Sequence, residues 1–222
     1  LAGWCRQAAT AVSCHRQRHH MSESWGSGRC PPFGVVATRS MRDKRHIELG
    51  CWAVDTANPN CWSRAAAYLR LTTADFIGIQ EMKVEEGTGT KEAEEAAKAT
   101  KWKMSAGGCM IAGGKSCGTA VAARSHLGLS DSDAVNERVK AAGIGHRLHM
   151  RHCGAVFKGG YVLGSLYCIT GIGLKARGNA DLLEKVASVL SSIEGPWILC
   201  MDGNGTPEDL VATGWPTLVG GV

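Results

Sequence analysis

The sequence lacks three features that would each assign the protein to a particular class. No apolar run approaches the roughly 20 residues that a transmembrane helix requires. No apolar segment follows Arg6, as it would in a secretory signal peptide. No Cys-x-x-Cys spacing occurs among the ten cysteines. We therefore expect an intracellular protein, with the nucleus as one candidate compartment, that is neither secreted nor associated with a membrane.

The ten cysteines are spaced neither as a disulfide framework nor as a standard zinc site. Four of them lie in or beside apolar runs, where a free cysteine behaves as a small hydrophobic residue; these are Cys51, Cys109, Cys168 and Cys200. Hydrophobic residues make up 44% of the chain and the mean hydropathy is −0.09. These values are typical of a globular protein, and the cysteine pattern indicates a reducing compartment.

Positive charge is concentrated near the N-terminus. Residues 1–46 carry eight Arg and Lys against two Asp and Glu, whereas the rest of the chain carries 17 against 18. We expect an irregular basic leader over residues 1–45, which either contacts a polyanion or is simply solvated. A folded domain is expected over residues 46–222. Because the chain begins with Leu1 rather than Met, we expect it to be a fragment of a longer reading frame.

Strand and helix patterns alternate from residue 47 onward. Strands are predicted over residues 47–54, 76–80, 102–106, 119–124, 147–152, 161–168 and 197–201. Helices are predicted from an N-cap at Ser63 to residue 71, within the charged segment 87–100, over residues 131–142, and from an N-cap at Asn179 to a stop at Gly195-Pro196. This irregular alternation predicts a layered α/β (α+β) domain with mixed sheets.

Polar side chains follow several of these strands where the apolar run ends. Glu81 follows one strand, Asp202 and Asn204 follow another, and a third leads into a turn that contains Asn58 and Asn60. If these ends lie together, they form a rim of carboxylates and amides, which are ligands that Mg²⁺ prefers. The same residue types also end ordinary strands. The residues alone therefore leave a magnesium site and plain turn chemistry as equal alternatives.

Four segments resemble motifs of the endonuclease/exonuclease/phosphatase family, in the same order along the chain. "ADFIGIQEMKV" resembles the family's aliphatic strand ending in Gln-Glu, and "CGTAVAAR" its Gly-led strand ending in Arg. "GSLYCITGIG" resembles the strand that carries a Tyr near the scissile phosphate, and "PWILCMDGNGTPEDL" the Gly-Asp-Phe-Asn motif followed by Pro. The resemblance covers about residues 47–221. The sequence pattern, with Gly-Trp after the last motif, is closest to that of endonuclease domains that retroelements encode beside a reverse transcriptase.

This resemblance implies a four-layer α/β sandwich and Mg²⁺-dependent phosphodiester cleavage, with Mn²⁺ as an alternative metal. The implied partner is nucleic acid, DNA rather than RNA, and a reverse transcriptase domain in the same element. By position, Glu81 would bind the metal, and Asn58, rather than the neighbouring asparagine, would be the amide beside it. Tyr167 would support the phosphate, Asp202 would orient or deprotonate the attacking water, and Asn204 would help to hold the phosphate.

Three further side chains are candidates for contact with nucleic acid. Trp62 follows the Asn58 turn and could stack on a base, although core packing is the alternative. Arg124 ends the Gly-led strand, and His149 is a candidate for phosphate contact, with a sheet-face histidine as the alternative.

The sequence departs from the family pattern in two places. Met201 and Gly203 stand where the family has a small residue and a Phe, and the chain reaches Val222 without the family's Ser-Asp-His motif. Loss of that His would remove acid–base help worth roughly 10²–10⁴ in rate, and the missing strands would expose a sheet edge. We therefore expect a domain that is incomplete at its C-terminus. A catalytically inactive remnant, a small-molecule phosphatase and a nucleic-acid-binding module acting through the leader remain alternatives.

Overall fold

The structure is a computed structural model that describes residues 9–12, 51–111, 115–154 and 158–221. Within the predicted leader, Ala9–Val12 form a short strand. The rest of residues 1–45, with the predicted strand residues 47–50, lies outside the described residues. The division of the chain into a leader and a domain therefore stays a prediction.

Eight strands in the described part of the chain form two four-stranded sheets. The first sheet has the order β2 (Val54–Ala57), β3 (Phe76–Ile79), β5 (Ala120–Arg124), β4 (Trp102–Ala106). The second has the order β1 (Ala9–Val12), β8 (Trp197–Asp202), β7 (Tyr161–Tyr167), β6 (Leu148–Cys153). Each sheet contains parallel and antiparallel pairs. The predicted mixed α/β class is therefore confirmed.

Helices cover the outer face of each sheet. Those described are α1 (Trp62–Leu71), α2 (Thr88–Ala99), α3 (Asp133–Ala141), α4 (Arg177–Ser191), α5 (Pro207–Val211) and α6 (Trp215–Leu218). The first two pack on the first sheet, and the others share one apolar cluster with the second sheet. None of these helices combines the length and the apolar character that crossing a lipid bilayer requires.

A third apolar cluster lies between the two sheets and completes four layers. Side chains alternate along each strand, so every second residue faces the opposite sheet and the others face the helices. Phe76, Val121, Leu163 and Cys200 are buried in this middle layer. Ile77, Ile79, Ala120 and Ala122 instead pack against the helices of the first sheet. The described residues therefore form three apolar cores, one at each interface between neighbouring layers.

The first predicted strand and its helix cap are wrong in position. Among the described residues the strand begins at Val54, where the predicted strand ends, and continues through Asp55 to Ala57. The Asp55 carboxylate accepts hydrogen bonds from Tyr68 Oη at 2.8 Å and from Thr72 Oγ1. These bonds tie the strand to α1, so the carboxylate has a structural partner. Cys61 rather than Ser63 precedes the helix.

Asn179 does not cap α4, because the helix begins two residues earlier, at Arg177. Its buried side chain instead holds the preceding loop. Asn179 Oδ1 accepts the Ile169 N–H at 2.7 Å, and Nδ2 donates to the carbonyls of Ile169 at 3.0 Å and Gly173 at 2.9 Å. A polar residue with three partners can be fully buried without an unsatisfied group. The helix ends at Ser191, before Gly195.

A short strand from the predicted leader covers one side of β8, so the edge of this sheet in the described residues is β1 rather than β8. β1 pairs with it in parallel, with Ala9 opposite Ile198 and Val12 opposite Met201. An N-terminal segment of the chain therefore supplies backbone partners along this edge. Such pairing removes a row of free N–H and C=O groups that could otherwise template aggregation.

We expect Gly78→Ala to destabilise the fold, because the two sheets approach closely at this residue. A Cβ on Gly78 would overlap the Cβ of Cys200 and lie 2.9 Å from its Sγ. Overpacking of this kind costs about 1–3 kcal/mol or more. The free energy of unfolding, measured by urea denaturation, should fall accordingly. Gly195→Ala is the matched control, because a Cβ there meets no atom within 4 Å; equal stability of the two variants would contradict the packing argument.

Candidate active site

The carboxyl ends of strands from both sheets meet at one end of the sandwich. β2 and β3 are parallel, as are β7 and β8, so each parallel pair ends on one side. Asn58 follows β2, and Asp202 is the last residue of β8. Asn58 Nδ2 donates to Asp202 Oδ2 at 2.5 Å, between residues 144 positions apart in the sequence. This bond joins the two sheets at the predicted site.

The Asp202 carboxylate is almost completely buried, with 2% of its surface exposed. Its second oxygen, Oδ1, accepts the backbone N–H of Asn204 at 3.0 Å. Asn204 has φ 49°, in the left-handed region that Asn tolerates better than most residues. Its Nδ2 donates to the carbonyl of Cys168 at 2.9 Å. The turn after β8 therefore fixes both polar residues of the last motif.

The two departures from the family motif compensate each other in space. A Cβ on Gly203 would lie 3.1 Å from the terminal methyl group of Met201. A larger residue at position 203 would therefore require the Met201 methyl group to shift, whereas Gly leaves room for it. This is a physical reason for finding Met and Gly together where the family has a small residue and Phe.

Gln80, fully buried, connects the end of β3 to the opposite sheet. Its Nε2 donates to Ser165 Oγ at 3.0 Å and to Thr56 Oγ1 at 3.2 Å. Ser165 Oγ in turn donates to the carbonyl of Ile79 at 2.8 Å. These bonds fix the chain immediately before Glu81, which explains why an amide precedes the carboxylate in the strand motif.

The segment after β3 has an unusual backbone. Glu81 and Lys83 have φ values of 56° and 54°, a conformation that L-residues seldom adopt. Two backbone hydrogen bonds hold this segment: the Met82 N–H donates to the Gly118 carbonyl at 2.9 Å, and the Lys83 N–H donates to the Cys117 carbonyl at 3.0 Å. The backbone of Cys117 and Gly118 thus holds this segment in place and directs the Glu81 carboxylate toward the site.

Lys83 links the carboxylate to the asparagine turn, and sequence reasoning missed it. Its Nζ lies 3.1 Å from Glu81 Oε1 and also donates to Asn60 Oδ1. The Asn60 N–H donates to Asn58 Oδ1 at 3.1 Å. The network therefore runs from Glu81 through Lys83 and both asparagines to Asp202. The available signal was a cation two positions after the predicted metal ligand.

Tyr167, the last residue of β7, is buried beside both carboxylates. Its hydroxyl is 2.7 Å from Thr170 Oγ1, in the loop that Asn179 holds. Burial is the main cause that raises the pKa of Tyr167, and the charges of Glu81 and Asp202 raise it further. The phenol is therefore protonated at neutral pH and can donate a hydrogen bond. The structure brings Asn58, Glu81, Tyr167, Asp202 and Asn204 to one end of the sandwich.

The structure does not bring Arg124 to this site. Phe76, the first residue of β3, pairs with Ala123, so Arg124 lies at the opposite end of the sheet. Its guanidinium donates to the carbonyls of Ala74, at 2.9 Å, and Thr72, and lies 4.0 Å from the centroid of the Trp102 ring. These contacts hold the start of β3 against β4.

His149 and Trp62 also have structural partners. Nε2 of His149 is 3.0 Å from Ser105 Oγ, and burial lowers its pKa to about 3, so the ring is neutral. Trp62 is the first residue of α1 and packs, partly buried, against the apolar cluster of the first sheet. Contact of either residue with nucleic acid stays a prediction.

The described residues contain no cluster of three or more His, Cys, Asp or Glu side chains arranged as metal ligands. The site instead offers two carboxylates, from Glu81 and Asp202, and the amides of the Asn58 turn. Of the Glu81 side chain 19% is exposed, so a ligand from solvent can reach it.

No protein-family model matches the chain, and a search of curated proteins finds no match. Solved structures that resemble it include the AP endonuclease LMAP from Leishmania major, with 12% identity and a TM-score of 0.46 over 76% of this chain and 66% of that one. Another is ANGEL2, a 2′,3′-cyclic phosphatase, in complex with adenosine-2′,3′-vanadate, with 16% identity, a TM-score of 0.39 and coverage of 67% and 44%. A second ANGEL2 structure is 15% identical, with a TM-score of 0.40 over 67% of this chain and 43% of that one. The chain spans 66% of the first protein and less than half of the second.

We expect the three tyrosines to ionise at higher pH in the folded protein than in the unfolded chain. Burial is the main cause that raises the pKa of Tyr68, Tyr161 and Tyr167. The stability that these protonated phenols contribute is complete below their ordinary pKa of about 10 and is lost as the pH rises toward the folded values. Phenolate absorbance during an alkaline titration, with and without denaturant, measures the difference. Coincident curves would contradict it, and Tyr167→Phe should remove one of the three delayed ionisations.

Proposed function

We propose that the chain is a metal-dependent phosphodiester hydrolase, an endonuclease that cleaves DNA by in-line attack of water. The hydrogen bond between Asn58 and Asp202 carries this proposal, because it joins the ends of both sheets around one polar site. Three of the four motifs that resemble the endonuclease/exonuclease/phosphatase family contribute Glu81, Tyr167, Asp202 and Asn204 to this end, whereas Asn58 comes from the turn after β2. The same resemblance supports a retroelement origin, with a reverse transcriptase domain as the partner and the nucleus as the place of action.

Asp202 is the candidate for the residue that orients and deprotonates the attacking water. Asn58 and the Asn204 N–H each donate to one of its oxygens, which fixes the carboxylate plane. Each carboxylate oxygen has a second lone pair, so both can still accept a hydrogen bond from water. A base held in one orientation loses little freedom in the transition state, which favours proton transfer.

Tyr167 and Asn204 are the candidates for contacts to the phosphate. The protonated Tyr167 phenol can donate to a phosphate oxygen if the substrate replaces its partner Thr170. Asn204 Nδ2 gives one hydrogen to the Cys168 carbonyl and retains a second donor. Both donors would stabilise negative charge on the reacting phosphate.

The donor set fits Mg²⁺, with Mn²⁺ as an alternative. Magnesium usually takes one or two protein carboxylates, keeps several waters and shares the substrate phosphate. Glu81 supplies the more exposed of the two carboxylates, and Asn58 is the amide that bonds to Asp202. When bound, the cation would polarise the phosphodiester and stabilise the leaving oxygen. The Lys83 ammonium is 3.1 Å from one Glu81 oxygen and would have to share the carboxylate with the cation or move away.

Positive side chains beside the site support a polyanionic substrate. The Arg147 guanidinium lies 5.8 Å from the centroid of the Tyr167 ring, and its Nη1 donates to the Tyr167 carbonyl at 3.3 Å. Burial, and then the charges of Arg147 and Lys185, lower the pKa of His146. Arg147 therefore lies at the site end of the second sheet, where its charge would attract a phosphate backbone.

The first test is nicking of supercoiled plasmid by the 222-residue chain in Mg²⁺, in Mn²⁺ and in EDTA. We expect nicking that requires the metal and that Glu81→Gln and Asp202→Asn each reduce about 10²-fold or more. Glu137→Gln, on the exposed side of α3, is the matched control and should nick like the parent. Circular dichroism should show that all variants are folded.

A folded parent that fails to nick with either metal would contradict the proposal. Release of phosphate from small phosphomonoesters without nicking would replace it with a phosphatase. Nicking that the two carboxylate variants retain would show that another site, or a contaminant, cleaves the plasmid.

We expect Lys83→Met to bind Mn²⁺ more tightly than the parent, by about tenfold, or about 1.4 kcal/mol. The reason is that the Lys83 ammonium competes with a metal for the Glu81 carboxylate, and both side chains are partly shielded from water. Electron paramagnetic resonance of free Mn²⁺ measures the affinity without any substrate. Lys91→Met, on the exposed face of α2, is the control. Unchanged or weaker binding by Lys83→Met would show that the ammonium does not compete.

A further inference from the structure

Two cysteines oppose each other at the base of the hairpin that connects β4 to β5. Met110 and Ser116 are directly opposite, because each accepts the other's N–H, at 2.9 and 3.0 Å. The next pair toward the sheet is Cys109 and Cys117. Residues directly opposite each other in an antiparallel pair have Cα atoms about 4.5–5.5 Å apart, which is within the range of roughly 4.4–6.8 Å that a disulfide spans.

The backbone next to Cys117 brings the second strand close to Cys109. Cys117 and Gly118 have φ values of 68° and 81°, so the ladder turns here. A Cβ on Gly118 would lie 3.4 Å from the Cβ of Cys109. Gly118, and with it the adjoining Cys117, therefore lies against Cys109. The register of Ala106 opposite Ala120 and of Met110 opposite Ser116 leaves three residues between these pairs on each strand, which also places Cys109 opposite Cys117.

Both thiols are free and buried. Burial is the main cause that raises the pKa of Cys109, and the nearby Glu85 and Cys117 raise it further. The raised pKa makes the thiolate scarce at neutral pH, so exchange with a disulfide should be slow there and faster in mildly alkaline solution. Slow exchange is compatible with a thiol pair that responds to sustained oxidation.

We propose that Cys109 and Cys117 form a reversible disulfide under oxidising conditions, with a small disulfide such as oxidised glutathione as the oxidant. One cysteine thiolate attacks a glutathione sulfur, forms a mixed disulfide and releases one glutathione thiolate. The second cysteine, as its thiolate, attacks the protein sulfur of that mixed disulfide and releases the other glutathione. The protein thus loses two electrons and two protons, and one oxidised glutathione becomes two reduced molecules.

The cross-link would lie directly against the candidate active site. The Cys117 carbonyl accepts the Lys83 N–H, and the Gly118 carbonyl accepts the Met82 N–H. On the other strand, the Cys109 N–H donates to the Val84 carbonyl at 2.8 Å. A bond between the two cysteines would therefore restrain the hairpin on both sides of the segment that carries Glu81 and Lys83. Local opening of this segment should become rarer in the oxidised protein. This inference stands on the backbone pairing and does not depend on the proposed function.

Peptide mapping tests the bond directly. Trypsin cleaves after Lys103, Lys115 and Arg124, and so releases residues 104–115 and 116–124, each with a single cysteine. After incubation with oxidised glutathione and alkylation of free thiols, we expect these two peptides to appear as one cross-linked species, two hydrogens lighter than their sum. Dithiothreitol should convert that species back into the two separate peptides. Two peptides that remain unlinked while other cysteines become oxidised would overturn the proposal.

Two variants and a second measurement complete the test. Cys109→Ser should lose the cross-linked species, whereas Cys51→Ser, which removes an exposed thiol, should retain it. Hydrogen exchange of the segment around Met82 and Lys83 should be slower in the oxidised than in the reduced parent and unaffected by oxidation in Cys109→Ser. A cross-link with no change in exchange would overturn the inferred restraint on the site segment.

Discussion

The close approach of the two sheets at Gly78 is the constraint on which the candidate active site depends. No Cβ fits between this residue and Cys200, so β3 and β8 pack almost backbone to backbone. The ends of these strands are consequently near enough for one asparagine side chain to reach from the first sheet to Asp202 in the second. A larger residue at position 78 would separate the ends that carry the catalytic candidates.

The layer between the sheets changes character along its length. One half is apolar and contains Phe76, Tyr161 and Leu163. The other half is polar and contains Gln80, Ser165 and Asp202, all buried. Burial of polar groups is costly unless they form hydrogen bonds, and each of these three side chains has partners across the layer or in the adjoining turn. The apolar half holds the sheets together, while the polar half positions a carboxylate at a water-accessible end.

Charge at this end is nearly balanced within the chain itself. Glu81 and Asp202 carry negative charge, the Lys83 ammonium is 3.1 Å from Glu81 Oε1, and the Arg147 guanidinium donates to the Tyr167 carbonyl. The Tyr167 phenol is neutral near pH 7, and burial raises its pKa further. A divalent cation at this site would have to share the Glu81 carboxylate with Lys83 or displace the lysine from it. Lys83 therefore neutralises part of the Glu81 charge in the metal-free protein, at the carboxylate that we propose as the metal ligand. The apolar run that predicted Glu81 as a ligand gave no indication of this role for Lys83.

The sequence by itself determined the elements and the residue types of the site. Apolar runs predicted β3 to β8 within about two residues, since alternation and strand-forming residues are local properties. The carboxylates and amides at the strand ends were also visible, and so was the order of the family motifs. Only the tertiary structure decided that Asn58 meets Asp202, that Arg124 lies at the far end of its sheet, that Asn179 holds a loop instead of capping a helix, and that Ala9–Val12 pair with β8. These contacts join residues that are far apart in the sequence. Their distance in space depends on how the sheets pack and on the direction of each strand, and the local periodicity of the sequence specifies neither.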